Sequence, residues 1–204
     1  MNKRISLTLL ILTIALNLII TLPAESAEIG QPAPEFTLTS ALGNQHSLAD
    51  YRGKLVVLEW YNPGCPFVMK YYDSGQMQKL QQEYTQKGVV WLIINSSAQG
   101  KQGHCPPDVA QKLIREKKIM ATEFLLDHNG QVGLSYQAKT TPHMYVIDQK
   151  GILAYQGAID DKASTSIADL AQARNHVKEA LEEIMAGQSV SVKTTKPYGC
   201  SVKY

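Results

Sequence analysis

The chain has 204 residues, 44% of them hydrophobic and 19% charged, which suits one globular domain with a real core and some added segments. Its formal net charge is +2 and no run of like charges stands out, so nothing points to a nucleic acid or an anionic surface as partner. No internal repeat, low-complexity tract or second domain is visible.

The N-terminus departs from the rest. Lys3 and Arg4 precede an almost unbroken apolar run from Ile5 to Ile20, and the small residues Ala24, Ser26 and Ala27 follow. These three parts read as a secretory signal peptide over residues 1–26, cleaved near Ser26 or Ala27. The apolar run is short for a spanning helix, which needs about 20 residues, so no stable membrane insertion is expected after cleavage. The mature chain is then expected to be exported, periplasmic or secreted. Residues 27–187 are expected to form the domain and residues 188–204 a tail.

In chain order, Glu35 to Thr39 reads as a strand, Ala41 to Asn44 as a turn and Leu55 to Trp60 as a buried strand. From Pro66 the pattern turns helical, with Met77, Leu80 and Tyr84 on one apolar face and Gly75 placed to bend or divide the helix. Gly88 ends it. Val89 to Asn95, β-branched and uncharged, is the clearest buried strand. Ser96 to Pro107 is a loop. Asp108 is placed to cap a helix whose Val109, Leu113 and Ile114 face inward. A strand at Glu123 to Leu126, a turn at Asp127 to Gly130 and a short helix at Val132 to Tyr136 follow. Met144 to Ile147 and Ile152 to Gln156 form a hairpin about Gln149 to Gly151. Leu170, Ala173, Val177, Leu181 and Ile184 mark a last amphipathic helix, closed by Gly187. Val190 and Val192 alternate in the tail as a strand would. Strands alternating with helices, then a hairpin and a helix, give an α/β sandwich. Its sheet is mixed, because so short a turn joins only antiparallel strands.

Cys65 carries the chemistry. It sits where a buried strand ends and a helix starts, and Pro66 suits the first helical position. Free N–H groups and the positive end of the helix dipole there favour thiolate, the nucleophilic form. The plain alternative is a small buried hydrophobe. An exported chain tolerates disulfides, and the three cysteines Cys65, Cys105 and Cys200 allow one pair and one free thiol.

Tyr61-Asn62-Pro63-Gly64-Cys65-Pro66-Phe67-Val68 resembles the active-site stretch of the thioredoxin superfamily, with Cys65 in the place of the attacking cysteine and Val68 in that of the resolving one. Thr140-Thr141-Pro142-His143 resembles that fold's Thr-Pro. Gly30-Gln31-Pro32-Ala33-Pro34-Glu35-Phe36-Thr37-Leu38 is similar to the opening strand of the redoxin branch (alkyl hydroperoxide reductase and thiol-specific antioxidant). The phrases Gly157-Ala158-Ile159-Asp160-Asp161 and Pro197-Tyr198-Gly199-Cys200-Ser201-Val202-Lys203-Tyr204 are most similar to its peroxiredoxin-like, single-cysteine members. The resemblance covers roughly residues 30 to 186. It implies a thioredoxin-like three-layer sandwich and a cis Pro142 that shapes the groove beside Cys65. It also implies thiol–disulfide exchange with protein or small-molecule thiols and disulfides, fed by an external thiol reductant and no bound cofactor. Since Val68 has no thiol, Cys105, Cys200 or an outside thiol must resolve a mixed disulfide. The tail's resemblance favours Cys200; the loop of Cys105 stays open.

Three other readings rest on particular residues. A peroxidase of this family uses Pro-x-x-x-Thr-x-x-Cys and a distant arginine. Here Asn62 stands in the Thr place and Leu58 in the Pro place, and Arg115 and Arg174 fall on expected helix surfaces, so peroxide reduction ranks second. A copper carrier is disfavoured, because the loop holds one cysteine and His46, His104, His128, His143 and His176 show no ligand spacing. Of these, His104 and His143 are placed to approach Cys65, and His143 to steady its thiolate; His176 is expected to face solvent. A non-enzymatic module with a structural Cys65–Cys200 disulfide is the third reading. It makes Tyr71-Tyr72 half-buried helix aromatics and Asp160-Asp161 an acidic loop.

Overall fold

The computed structural model describes residues 26–204; the expected signal peptide lies almost wholly outside them. Its centre is a pair of parallel strands, β3 (Val56–Trp60) and β4 (Val90–Asn95), buried along their whole length. Runs with no polar alternation belong in strands covered on both faces. Around them a mixed sheet is ordered β2-β1-β5-β4-β3-β7-β8, with β1 (Thr37–Ser40), β2 (Gln45–Ser47), β5 (Glu123–Leu126), β7 (His143–Ile147) and β8 (Leu153–Gly157). Only β3–β4 and β4–β5 are parallel; β7 and β8 form the expected antiparallel hairpin.

Alternate residues of each strand feed two cores. Val57, Trp91, Ile93, Phe124 and Val146 pack under helices α1 (Pro66–Asp73), α2 (Gln76–Gln86), α3 (Pro107–Glu116) and α5 (His176–Met185). Val56, Leu58, Trp60, Leu92 and Tyr145 pack under α4 (Gln131–Ser135), a short 3-10 helix at Leu48–Tyr51 and the segment through Phe36. This is the thioredoxin-like three-layer sandwich that the resemblance implied. A second, two-stranded sheet pairs β6 (Thr140–Thr141) with β9 (Cys200–Ser201). Among the described residues no helix is long and apolar enough to cross a membrane.

Gly75 divides the first helix, one of its two expected effects: it adopts φ 74° at the N-cap of α2. Several other local expectations fail for physical reasons. Asp108 lies in the first turn of α3 without capping it, and Val109 is exposed; Ala110 is the buried residue of that turn. The last helix starts only at His176, where the Asn175 side chain accepts from the Lys178 N–H at 2.9 Å. Leu170 belongs to a separate 3-10 helix at Ile167–Gln172, and Ala173 follows it; tertiary packing of Leu170 imitated helical spacing. His176 is largely buried, its side chain 11% exposed. Val190 and Val192 form no strand; only Val190 is buried, and the tail pairs later, at Cys200. Tyr71, Tyr72 and Asp160 are all buried rather than superficial.

One carboxyl group is buried within the central strand β3 itself. Glu59 on β3 is fully buried and accepts from Trp91 Nε1 (2.8 Å), Tyr72 Oη (2.8 Å) and Gln81 Nε2 (3.1 Å). Burial raises its pKa from 4.5 to about 7, against those three donors, which lower it. An acid raised on folding binds more protons folded than unfolded, so stability falls as pH climbs from the unfolded to the folded value. Between pH 5 and pH 8 the protein is expected to lose up to about 3 kcal/mol that Glu59→Gln does not lose. Urea midpoints of the two proteins at both pH values check this; parallel pH slopes would rule out a titrating Glu59.

Candidate active site

Cys65 is the N-cap of α1, in extended backbone, with Pro66 at the first helical position. The apolar strand β3 delivers it, and the Asn62 side chain fixes the intervening turn. Asn62 Oδ1 accepts from the Gly64 N–H at 2.8 Å, while its amide donates to Gln102 Oε1 at 3.0 Å and the Gln102 carbonyl at 3.3 Å. That ties the turn to the Ser96–Pro107 loop. It also occupies the position where the peroxidase pattern needs a threonine.

The Cys65 side chain meets the β6–β9 pair. Its thiol donates to the Thr141 carbonyl at 2.9 Å. Thr141 lies opposite Cys200, and Thr140 opposite Ser201. The Thr141–Pro142 bond is cis, as the resemblance implies. The structure therefore brings Cys65, Pro142 and Cys200 together, with all three cysteines as free thiols. Cys65 itself is fully covered, while Cys200 is partly exposed.

Burial alone would raise the Cys65 pKa. Hydrogen bonding from the Thr141 hydroxyl, from the Cys200 N–H and thiol, and in smaller share from the Val68 N–H outweighs it, and the net shift is down. The Val68 N–H gives its main bond to the Cys65 carbonyl at 3.0 Å. The expected source of acidity, the open helix N-terminus, is thus secondary to the tail. Cys200 moves the other way, pushed up to about 11 by burial and by its neighbour Cys65.

The hydrogen bonds of the remaining candidates run to other groups than Cys65. Cys105 donates its thiol to the Gly103 carbonyl and its N–H to Asn95 Oδ1, both at 3.3 Å, and burial pushes it up to about 12. His104 bonds the Ser97 carbonyl and packs against His128, with ring centroids 4.2 Å apart. His143 sits beside the Tyr145 hydroxyl and accepts from the Lys139 N–H. Burial lowers its pKa to about 3, so it stays neutral and steadies no thiolate by charge. Among the described residues no three His, Cys, Asp or Glu side chains gather as metal ligands would. Arg174 pairs with Glu179 at the surface.

Sequence reasoning missed how the tail is held. Thr195 bonds Tyr155 Oη at 2.6 Å and the Ala158 N–H at 2.9 Å. The Val202 N–H donates to the Lys139 carbonyl at 3.1 Å, the Ala98 N–H to the Lys203 carbonyl at 2.7 Å, and Tyr204 Oη to the Ala138 carbonyl at 2.8 Å. Lys70, Tyr71 and Asp160 were read as surface or left unread. The available signal was Lys70 itself, a charge between Val68 and Tyr71 on the buried side of α1.

Gly199 makes the approach of the tail possible. It adopts φ 137°, and a Cβ there would lie 2.0 Å from the Thr141 carbonyl oxygen, which is backbone and has little room to give. Gly199→Ala is expected to lift Cys200 off Cys65 and to raise the Cys65 titration midpoint toward that of an ordinary thiol. Thiolate absorbance near 240 nm against pH, corrected with Cys65→Ser, reads this; an unshifted midpoint would show that the tail does not set the acidity.

Comparison with known proteins agrees with this architecture. Residues 29–156 match the AhpC/TSA family. The thiol-disulfide oxidoreductase ResA of Geobacillus kaustophilus is 28% identical over 123 residues, 60% of this chain and 65% of that protein. A provisionally named peroxiredoxin of Mycobacterium tuberculosis is 25% identical over 162 residues, 76% of this chain and 93% of that protein. The crystal structure of an uncharacterised conserved protein from Geobacillus kaustophilus aligns with a TM-score of 0.74 at 27% identity, over 87% of this chain and 92% of that one. The chain thus spans just under two thirds of the length of the ResA relative. With the family match covering more than half of the sequence, the chain belongs to the AhpC/TSA family of the thioredoxin superfamily.

Proposed function

We propose that this chain is an exported thiol–disulfide oxidoreductase in which Cys65 is the nucleophile and Cys200 the resolving thiol, with Pro142 shaping the groove between them. The observation that carries the reading is the β6–β9 pairing, which sets Cys200 opposite Thr141, the residue whose carbonyl accepts from the Cys65 thiol at 2.9 Å; the Cys65 pKa is lowered and that of Cys200 raised in keeping with it. The similarity to a protein named for thiol–disulfide exchange supports the reaction class. The basic and apolar N-terminal pattern supports export.

The Cys65 thiolate attacks one sulfur of a substrate disulfide, forming a mixed disulfide and releasing the other sulfur as a thiolate that takes up a proton. The Cys200 thiol then loses its proton and attacks the Cys65 sulfur. A Cys65–Cys200 disulfide forms, and the second substrate sulfur leaves as a thiol. The substrate gains two electrons and two protons, and the cysteine pair loses them. An external thiol protein restores the pair. Because Cys65 is covered, β9 has to swing off Thr141 to admit substrate and return to deliver Cys200.

Peroxide reduction is a lesser activity on this reading. Asn62 is committed to Gly64 and Gln102, and none of the groups bonded to Cys65 is an arginine. Two measurements test the proposal. Cys200→Ser is expected to accumulate a mixed disulfide at Cys65 with a small disulfide substrate, seen by mass mapping, while the wild type goes on to Cys65–Cys200. Stopped-flow kinetics should show reaction with small disulfides and slow reaction with hydrogen peroxide. A Cys65–Cys105 peptide, or peroxide rates of a dedicated peroxidase, would overturn the assignment.

A further inference from the structure

A buried ion pair sits between the nucleophile's helix and the tail. Lys70 of α1 and Asp160, which follows β8, both have fully buried side chains, with Lys70 Nζ 3.7 Å from Asp160 Oδ2. Burying two charges is costly, and such a pair is weak support for stability by itself; its best-attested use is to fix one arrangement of the parts it joins. What it joins here is specific. Asp160 accepts from the hydroxyls of Tyr71 and Tyr198, one on each oxygen, and from the Lys162 N–H at 2.9 Å. Lys70 donates to the Lys162 carbonyl at 2.9 Å and to Tyr198 Oη at 3.4 Å, and its ammonium lies 5.3 Å from the Tyr198 ring centroid. The ring also meets Phe67 of α1 edge-on, with centroids 5.7 Å apart.

Tyr198 is separated from Cys200 only by Gly199, the residue pressed onto the Thr141 carbonyl. The helix that starts at Cys65 therefore carries, at Lys70, the charge that anchors the strand of Cys200. Tyr198 fixes that strand upstream, and the Lys139 carbonyl fixes it downstream through Val202.

We propose that Asp160, held against Lys70, is a positioning residue for thiol exchange, and that through Tyr198 it sets where Cys200 meets Cys65. This rests on the reading of Cys200 as the resolving thiol. The clamp acts on the return of the strand, when the Cys200 sulfur must reach the Cys65 sulfur of the mixed disulfide and form the new bond while the substrate sulfur leaves. It acts again in the reduced protein, where the Cys200 N–H and thiol face the Cys65 sulfur.

Removing Lys70 or Asp160 outright would strand a buried charge and risk unfolding. Tyr198→Phe is the cleaner change, because it keeps the ring against Phe67 and deletes only the hydroxyl. Two quantities are read: the equilibrium between the Cys65–Cys200 disulfide and glutathione, and the Cys65 titration midpoint. A hydrogen bond to a buried charge is worth enough that its loss should weaken the intramolecular disulfide about tenfold. The midpoint should rise toward that of Cys200→Ala. In the Cys200→Ala background, Tyr198→Phe should not move the midpoint further. Tyr84→Phe, which deletes a hydroxyl facing Glu182 away from the tail, should leave both quantities unchanged. Wild-type values in Tyr198→Phe, or an equal midpoint shift with and without Cys200, would overturn the clamp while leaving the role of Cys200 standing. Absence of any Cys65–Cys200 disulfide in the wild type across glutathione buffers would overturn that role and the clamp with it.

Discussion

The pairing of Thr141 with Cys200 is the constraint on which the site depends. Cys65 has no sulfur one helical turn away, because Val68 stands there, buried in the core. On the proposed reading the second thiol is Cys200, which a two-residue strand brings from the tail onto the backbone beside the cis Pro142. Long separation in sequence is a mild obstacle, since the entropic cost of closing a loop grows only with the logarithm of its length. Geometry is the stricter one. The meeting needs a glycine at position 199, an extended Cys65 at a helix cap, and a tail fixed on both sides of the thiol.

Buried charge is concentrated around this point. Glu59 lies on the strand that ends near Cys65, Lys70 lies on the helix that begins there, and Asp160 packs against that helix through Lys70 and Tyr71. Each is surrounded by hydroxyls, amides or indole N–H groups rather than by water. Such arrangements are less stabilising than apolar packing of equal volume, but they tolerate one geometry only. The site is thus built from a stiff polar frame set into two apolar cores, and the frame grips the short strand to which the proposed function assigns the swing.

Much of this was legible from sequence, for reasons that differ by element. The buried strands read clearly because both faces are apolar, so no register error could hide them. The hairpin at Gln149 to Gly151 followed from turn length alone. The boundary of α5 did not, because Leu170 packs on the same core from a separate 3-10 turn and so continues the helical spacing. Cys65 stood out through its strand, glycine and proline context, and Pro142 and Cys200 through phrases similar to a family. The tail's path was hidden, since its anchors are single hydrogen bonds between residues far apart in sequence. Asp160 was hidden too, since nothing local distinguishes its carboxylate from one that faces water; Lys70 was marked only by its place on the buried side of α1.

The covering of Cys65 has a consequence for chemical probing. The more acidic thiol of the pair is the one with no exposed surface, and the partly exposed thiol is the one whose proton is held more tightly. Acidity and accessibility are therefore split between the two residues. A bulky reagent meets Cys200, in its unreactive form, before it can meet Cys65. If β9 swings as proposed, modification rates of the folded protein measure how often it does so, and only a reagent small enough to pass beneath it senses the acidity of the sulfur below.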